Sequence, residues 1–412
     1  MSRPTPDKTQ DRFSSPHLFA EEEAKALRFN LGPLFYLTGI FFLNFLSRII
    51  LSPLLITVER DLNLGHKEAG FLFLLSSLGY SLAVLGSGHL SSRVSHRRTI
   101  LISTVGMGLI LLLLSISQAV WMIQFLFFLL GFAGGFYLPS GMATMTSLIR
   151  HQDWGKAMAI HELAPNVGFV AAPFLAEFFL PWGSWRLPFG ILGLLSLLMG
   201  MAFIRRARGG NFYGQAPTPR VVRTLLGRPS LWIMMVLFGL GIGTSFGVYT
   251  MLPLFLVVER GFERDWANTL VAVSRISGIF IALIAGWFVD RLGVKKTLFL
   301  FLLIAGHLTF LMGWAKDTWL ILIIFLQPMM AVCFFPAGFT AINKIAQAQT
   351  RNIAVSLTVP LGFLLGGGVV PALIGLAGER FSFSLGIFLV GIITLVSLPI
   401  IRFLRFEEKD NP

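Results

Sequence analysis

The stretch Gly286-Trp-Phe-Val-Asp-Arg-Leu-Gly-Val-Lys-Lys-Thr297 sets one acid, three cations and two glycines between two long apolar runs. A counterpart in the same setting, Gly88-His-Leu-Ser-Ser-Arg-Val-Ser-His-Arg-Arg-Thr99, lies 198 residues earlier. Three further pairs keep the same order in both halves. Phe136-Tyr-Leu-Pro-Ser-Gly141 precedes Cys333-Phe-Phe-Pro-Ala-Gly338 by 197 residues, and Pro165 precedes Pro360 by 195. Val58-Glu59-Arg60, just after Pro53, answers Val258-Glu259-Arg260, just after Pro253. Four matches at a nearly constant offset read as a duplicated half.

What surrounds these pairs is apolar. Of 412 residues 55% are hydrophobic and only 13% charged, about half the charge of a soluble protein. A mean hydropathy of +0.76 belongs to a chain whose outside is apolar too, which excludes a water-soluble enzyme, a soluble binding domain and disorder. A helix needs about twenty apolar residues to cross the hydrocarbon layer. The sequence predicts twelve such spans: 33–55, 69–88, 99–118, 121–149, 157–180, 187–204, 231–256, 267–289, 297–315, 318–342, 353–377 and 382–403. Continuous runs such as ILISTVGMGLILLLLSI from Ile100 are helical, since barrel strands would alternate over about ten residues.

Basic residues in the connections set the orientation. With the N-terminus inside, 24 of the 33 Lys and Arg fall on the cytoplasmic side, seven on the outer side and two, Arg48 and Arg275, within spans. Both termini are therefore expected in the cytoplasm. Basic loops against an anionic leaflet account for the net charge of +13 without nucleic acid. Residues 1–32 hold Glu21, Glu22 and Glu23 and no apolar core, so they read as a cytoplasmic tail and not a cleavable signal. The expected organisation is all-α: a bundle at 33–204, a basic surface linker at 205–230, a second bundle at 231–403 and a tail at 404–412, giving two pseudo-symmetric six-helix bundles.

Repeated six-helix halves facing a central cavity are the architecture of one transporter class. The chain resembles a major facilitator superfamily transporter over residues 33–403. The most specific element is Gly286-x-x-x-Asp290-Arg291-x-Gly293-x-Lys295-Lys296, which matches the family's loop between the second and third helix of a half. The first-half copy keeps Arg93 but has Ser92 and Ser95 where the family has Asp and Gly. The resemblance implies that Gly286, Asp290, Arg291, Gly293 and Arg93 belong to a cytoplasmic latch of the outward-open state. Topological charge with helix capping is the plainer reading. Gly168-x-x-x-Ala172-Pro173-x-x-Ala176 matches the antiporters' glycine-rich run poorly, which counts against drug antiport.

Ionisable groups at membrane depth are costly and are functional candidates by default. Arg48 in FFLNFLSRIILSPLL must face a cavity, pair with an acid or reach lipid headgroups, and Asn44 shares its face. Arg275 lies in NTLVAVSRISGIFIALIAG; its alternatives are solute contact or an ion pair with Glu259, Glu263 or Asp265. Two arginines from opposite halves suit one anion, and arginines in the first or eighth helix resemble those of the superfamily's organic-anion carriers. His161 and Glu162 are the candidate proton carriers, against a structural pair of Glu162 with Arg150, Lys156 or Lys344. Asn166 stands on the Glu162 face, and Glu177 is expected to see water. Tyr137, Tyr249 and Gln327 either bond solute or bridge helices. Gly362, Gly366, Gly367 and Gly368 suit a gating helix or close packing equally. The many Phe residues read as lipid or core contacts.

No Gly-x-x-x-x-Gly-Lys-Ser/Thr loop, His-Glu-x-x-His pair or paired cysteines occur, so no enzymatic activity, cofactor or metal is expected. The expected function is secondary transport of a small anion, most readily a carboxylate, with a proton as candidate co-transported ion. The partners are the anionic solute and membrane lipids, and the chain is expected to act as a monomer in the inner membrane of a prokaryote. An exporter of amphipathic compounds or lipids is the alternative. A non-transporting membrane sensor is a remote third, because the tails are short for a signalling domain.

Overall fold

The computed structural model describes residues 25–347 and 350–406, apart from the side chains of 279–280 and 282–285. The expected tails at 1–32 and 404–412 therefore lie largely outside the described residues. The fold is all-α, and its only β feature among the described residues is an isolated bridge between Lys25 and Ile149. Eleven helices of the described residues are long and apolar enough to cross a membrane. In the first half they are α1 (Leu31–Leu62), α2 (His66–Val94), α3 (His96–Ile116), α4 (Val120–Leu148), α5 (His151–Trp182) and α6 (Arg186–Arg206). After them come α7 (Pro229–Val258), α9 (Val294–Trp314), α10 (Asp317–Ile345), α11 (Arg351–Arg380) and α12 (Phe383–Phe403). A further 29-residue helix, α8 (Arg264–Leu292), occupies the place of the expected 267–289 span. The chain is an integral membrane protein.

The sequence repeat returns as geometry. Ser95 ends α2 at φ 75° and ψ 158°, and Gly293 ends α8 at φ 77° and ψ 159°. The first-half turn thus keeps a left-handed conformation without the glycine that makes it inexpensive. Both α4 and α10 break where the matched segment begins, at Phe136 and Cys333. Asn44 on α1 donates to the Gly134 carbonyl beside one break (2.9 Å). Gln327 on α10 donates to the Thr244 carbonyl in a π-helical turn of α7, Gly243–Gly247 (2.7 Å). Buried side-chain amides thus satisfy backbone carbonyls that the broken or π-helical ladder would leave weak or unpaired.

A second π-helical turn, Phe363–Val369, lies in α11 where Gly366 packs on α7. A Cβ at Gly366 would overlap the backbone of Gly239 and Gly243, so close helix packing accounts for this glycine.

The linker does not simply lie free on the membrane surface. His96 N donates to Phe212 O (3.1 Å), Arg97 N to Gly210 O (2.7 Å) and Gly214 N to Ser91 O (3.1 Å). The Arg97 guanidinium caps the end of α6 by donating to the carbonyls of Ile204 and Ala207, both at 2.8 Å. A short helix, Pro219–Leu226, follows, capped by the Thr218 side chain.

Hydrogen bonds between the earlier and later helices lie at mid-depth and toward the end opposite the termini. Ser81 Oγ donates to Pro360 O (2.6 Å), Ser52 Oγ to Tyr249 O (3.3 Å) and Lys67 N to Glu379 Oε2 (2.9 Å). At the terminal end the Glu162 side chain of α5 is 52% exposed.

Candidate solute-binding site

Arg48 sits two residues before the irregular turn that divides α1, and it is buried. Its guanidinium carbon lies 4.1 Å from the centre of the Tyr80 ring, 5.7 Å from that of Phe363 and 5.9 Å from that of Phe45. Arg275, also buried, lies 4.3 Å over Phe169 and 4.5 Å over Tyr249 and donates from Nη2 to the Ser245 carbonyl. Aromatic faces attract a guanidinium by their quadrupole, worth about 2 kcal/mol or more where water is excluded. They leave its N–H edge free to bond elsewhere, and one nitrogen of each arginine stays open. Arg48 Nε and Arg275 Nη1 are buried with no hydrogen-bond partner among the described residues.

Neither arginine forms an ion pair among the described residues. Of the expected partners Glu259, Glu263 and Asp265, none pairs with Arg275 among the described residues, and Glu259 instead accepts from the backbone and hydroxyl of Ser384.

One aromatic cluster joins the two cations. Ring centres lie 4.9 Å apart for Phe45 and Phe169, 4.7 Å for Phe169 and Tyr249, and 5.9 Å for Phe45 and Phe246. The chain of rings continues from Phe246 to Phe363 (5.9 Å) and from Phe363 to Tyr80 (5.2 Å). In the sequence these Phe residues read as lipid or core contacts, and nothing singles out Tyr80. The signal available was slight: Phe45 stands one helical turn before Arg48.

A second buried group lies nearer the terminal end. His161 on α5 is fully buried, stacked on Phe41 at 4.5 Å. Tyr137 donates its one hydroxyl proton to the Leu37 carbonyl (2.6 Å), so its contact with His161 Nε2 (3.0 Å) requires the ring nitrogen to donate. That assignment leaves the lone pair of neutral His161 on Nδ1, which is buried without a hydrogen bond and 3.6 Å from Glu162 Oε1. A proton at Nδ1 would create an imidazolium beside a carboxylate. The expected structural pair is absent: among the described residues Glu162 makes no ion pair with Arg150, Lys156 or Lys344, and Arg150 is bonded to Asp153 (2.7 Å).

The remaining polar candidates are spent on the protein itself. Asn44 and Gln327 bond the carbonyls named above. Tyr249 donates to Phe169 O (2.6 Å) and Asn166 to Glu162 O (2.9 Å). In the loop, Asp290 and Arg291 are exposed, with the Arg291 guanidinium 5.0 Å over Trp287. Arg93 is exposed as well, and Ser92 bonds back to His89 O (2.9 Å). Glu177, expected to face water, is instead held by Arg264 at 3.1 Å and by Asn268.

Known proteins share this architecture. The membrane sensor protein UhpC of Salmonella typhimurium is 25% identical over 307 residues, 67% of each chain. A probable sulfoacetate transporter, SauU of Cupriavidus necator, is 21% identical over 413 residues, 90% of this chain and 94% of that one. A bacterial homologue of the human lysosomal transporter Spinster, solved in an inward-facing, occupied conformation, superposes with a TM-score of 0.74 at 15% identity, covering 90% of this chain and 95% of that one. The sequence model of the Major Facilitator Superfamily matches residues 37–305 and 266–412, nearly the whole length. The chain belongs to the Major Facilitator Superfamily, a non-enzymatic transporter fold that moves a small solute.

Proposed function

We propose that the protein is a secondary active carrier of a small organic anion, working by alternating access between two six-helix bundles, 33–204 and 231–403. In this reading α8 is the eighth of twelve crossing helices and both termini lie in the cytoplasm of a prokaryote; the basic connections support that orientation. The 205–230 segment joins the halves, and the chain works as a monomer.

One observation carries the reading: Arg48 and Arg275, one from each half, are each buried with an open N–H and without a carboxylate partner among the described residues. An anion loses hydration on entering such a site, and charge-assisted hydrogen bonds from both guanidiniums would offset the loss. A solute touching both would also couple binding to bundle closure. Sulfoacetate, named for the Cupriavidus relative, is a small organic anion, which supports the class without fixing the cargo.

Proton symport is part of the proposal. The open Nδ1 of His161 beside Glu162 is the acceptor, and the exposed Glu162 carboxylate links it to water at the terminal end.

The aromatic cluster favours a second reading, export of amphipathic compounds, for which the arginines would be structural. A sensor reading takes support from the name of the Salmonella relative. Counterflow in proteoliposomes separates all three. An organic-anion carrier exchanges labelled anion, and Arg48→Ala or Arg275→Ala protein of verified fold loses at least about tenfold in anion affinity. Unchanged anion affinity in both variants rejects the clamp, and amphipathic cargo moved equally by all three proteins establishes the exporter. Ligand binding without exchange identifies a sensor.

A further inference from the structure

Resting on the anion reading, we infer that the solute is an aromatic monoanion, its ring held within the Phe cluster and its charged group shared by Arg48 and Arg275. What the site lacks selects its solute as much as what it holds. A polyhydroxylated anion such as a hexose phosphate loses water at every hydroxyl and needs a protein partner for each, or binding is penalised. Four polar side chains that could supply them are engaged. Asn44 and Gln327 bond backbone carbonyls, and the hydroxyls of Tyr249 and Tyr137 do the same. Arg48 Nε and Arg275 Nη1, buried beside the rings without partners among the described residues, match one charged group.

The other surface offered is aromatic. Phe45, Phe169, Phe246, Phe363, Tyr80 and Tyr249 form a continuous set of rings reaching both guanidiniums. Their neighbouring pairs are mostly tilted or edge-on, at 71° for Phe45 with Phe169 and 79° for Phe45 with Phe246. A flat ring inserted among them would make edge-to-face contacts, which favour aromatic guests over aliphatic ones of equal area. The same rings occupy the guanidinium faces, so an incoming carboxylate meets the arginines at their N–H edge, where charge-assisted bonds form.

Binding to the purified full-length protein, measured by calorimetry, tests this with four probes of graded chemistry: benzoate, butyrate, benzamide and a hexose phosphate. Benzoate should bind, with butyrate, benzamide and the hexose phosphate each at least about tenfold weaker. Phe169→Leu and, separately, Phe246→Leu should each weaken benzoate about fivefold and change butyrate far less. Butyrate or the hexose phosphate binding as well as benzoate, with that binding lost in Arg48→Ala, overturns the aromatic assignment and leaves the anion carrier standing. Benzamide equal to benzoate, with no effect of either arginine substitution, overturns both. Absence of benzoate binding at millimolar concentration overturns the aromatic assignment alone.

Discussion

Arg264 and Glu177 form a two-pronged ion pair across the halves, with Nε to Oε1 and Nη2 to Oε2 both at 3.1 Å. Asn268 donates to the same carboxylate and to the Pro53 carbonyl, so α1, α5 and α8 meet at one point opposite the termini. Opening that end must break the pair. The groups remain partly exposed, at 36% and 19%, so screening holds the contribution to about 1 kcal/mol, roughly a fivefold population shift. Glu177→Gln should therefore raise labelling from outside at Ser52→Cys, a position now buried against α7, by about that factor. An unchanged labelling rate would show that other contacts hold this end closed.

Asp290 should act in the opposite sense. It is exposed while the far end is closed, as expected of a latch released in this conformation. Asp290→Asn removes the charge that would face a neighbouring helix N-terminus in the alternate state. Labelling at Ser52→Cys should fall, and transport with it. Wild-type values for both would leave Asp290 as topological charge alone.

Close packing at Gly366 gives a stability prediction. A methyl group there meets backbone of α7, which cannot rotate away, so Gly366→Ala should cost about 1–3 kcal/mol. Gly86→Ala, where no heavy atom lies within 4 Å, is the control and should be neutral or slightly stabilising. Thermal unfolding in one detergent compares them, and equal midpoints would contradict the packing argument.

The apolar runs and the repeat made most of the fold legible, because membrane helices declare themselves by length and a duplicated loop by its offset. Arg48 and Arg275 were visible for a related reason: a cation inside a span is rare enough to stand out. Their surroundings were not. With 40 Phe in the chain, nothing local distinguishes Phe169 beside a guanidinium from a Phe facing lipid. Asn44 and Gln327 looked available because the helix break and π-helical turn whose carbonyls engage them exist only in three dimensions. Glu177 was read as water-facing because its partner stands 87 residues away on another helix. The worn first-half loop hid a compensation, since Arg97 and residues 210–214 build contacts that no local pattern announces.

Coupling is tested at Glu162. If the open nitrogen of His161 takes the driving proton, the adjacent carboxylate stabilises the charged ring and Glu162→Gln removes that support. Proton-driven accumulation should fall at least about tenfold while counterflow, which needs no net proton movement, falls far less. Both activities surviving in full would exclude Glu162 from coupling.

The last prediction separates charge from shape at the two arginines. Lysine keeps the positive charge but has neither the planar face that lies over Tyr80 and Phe169 nor the fork of fixed donors. Its ammonium is also more strongly hydrated, so placing it among rings costs more than placing a guanidinium there. Arg48→Lys and Arg275→Lys should therefore bind anion more weakly than wild type yet better than the alanine variants. In Arg48→Ala the Tyr80 ring loses its cation and the site loses one of its two guanidiniums, so the remaining arginine must offset the anion's dehydration alone. If the two arginines share one anion, Arg48→Ala with Arg275→Ala should cost less than the sum of the single losses, because either single change already breaks the shared contact. Independent sites would give strict additivity. Calorimetric titration of the four single variants and the double alanine variant, each checked for wild-type folding, distinguishes these cases. A lysine variant as weak as its alanine counterpart would make guanidinium geometry the decisive element, whereas one equal to wild type would leave charge alone.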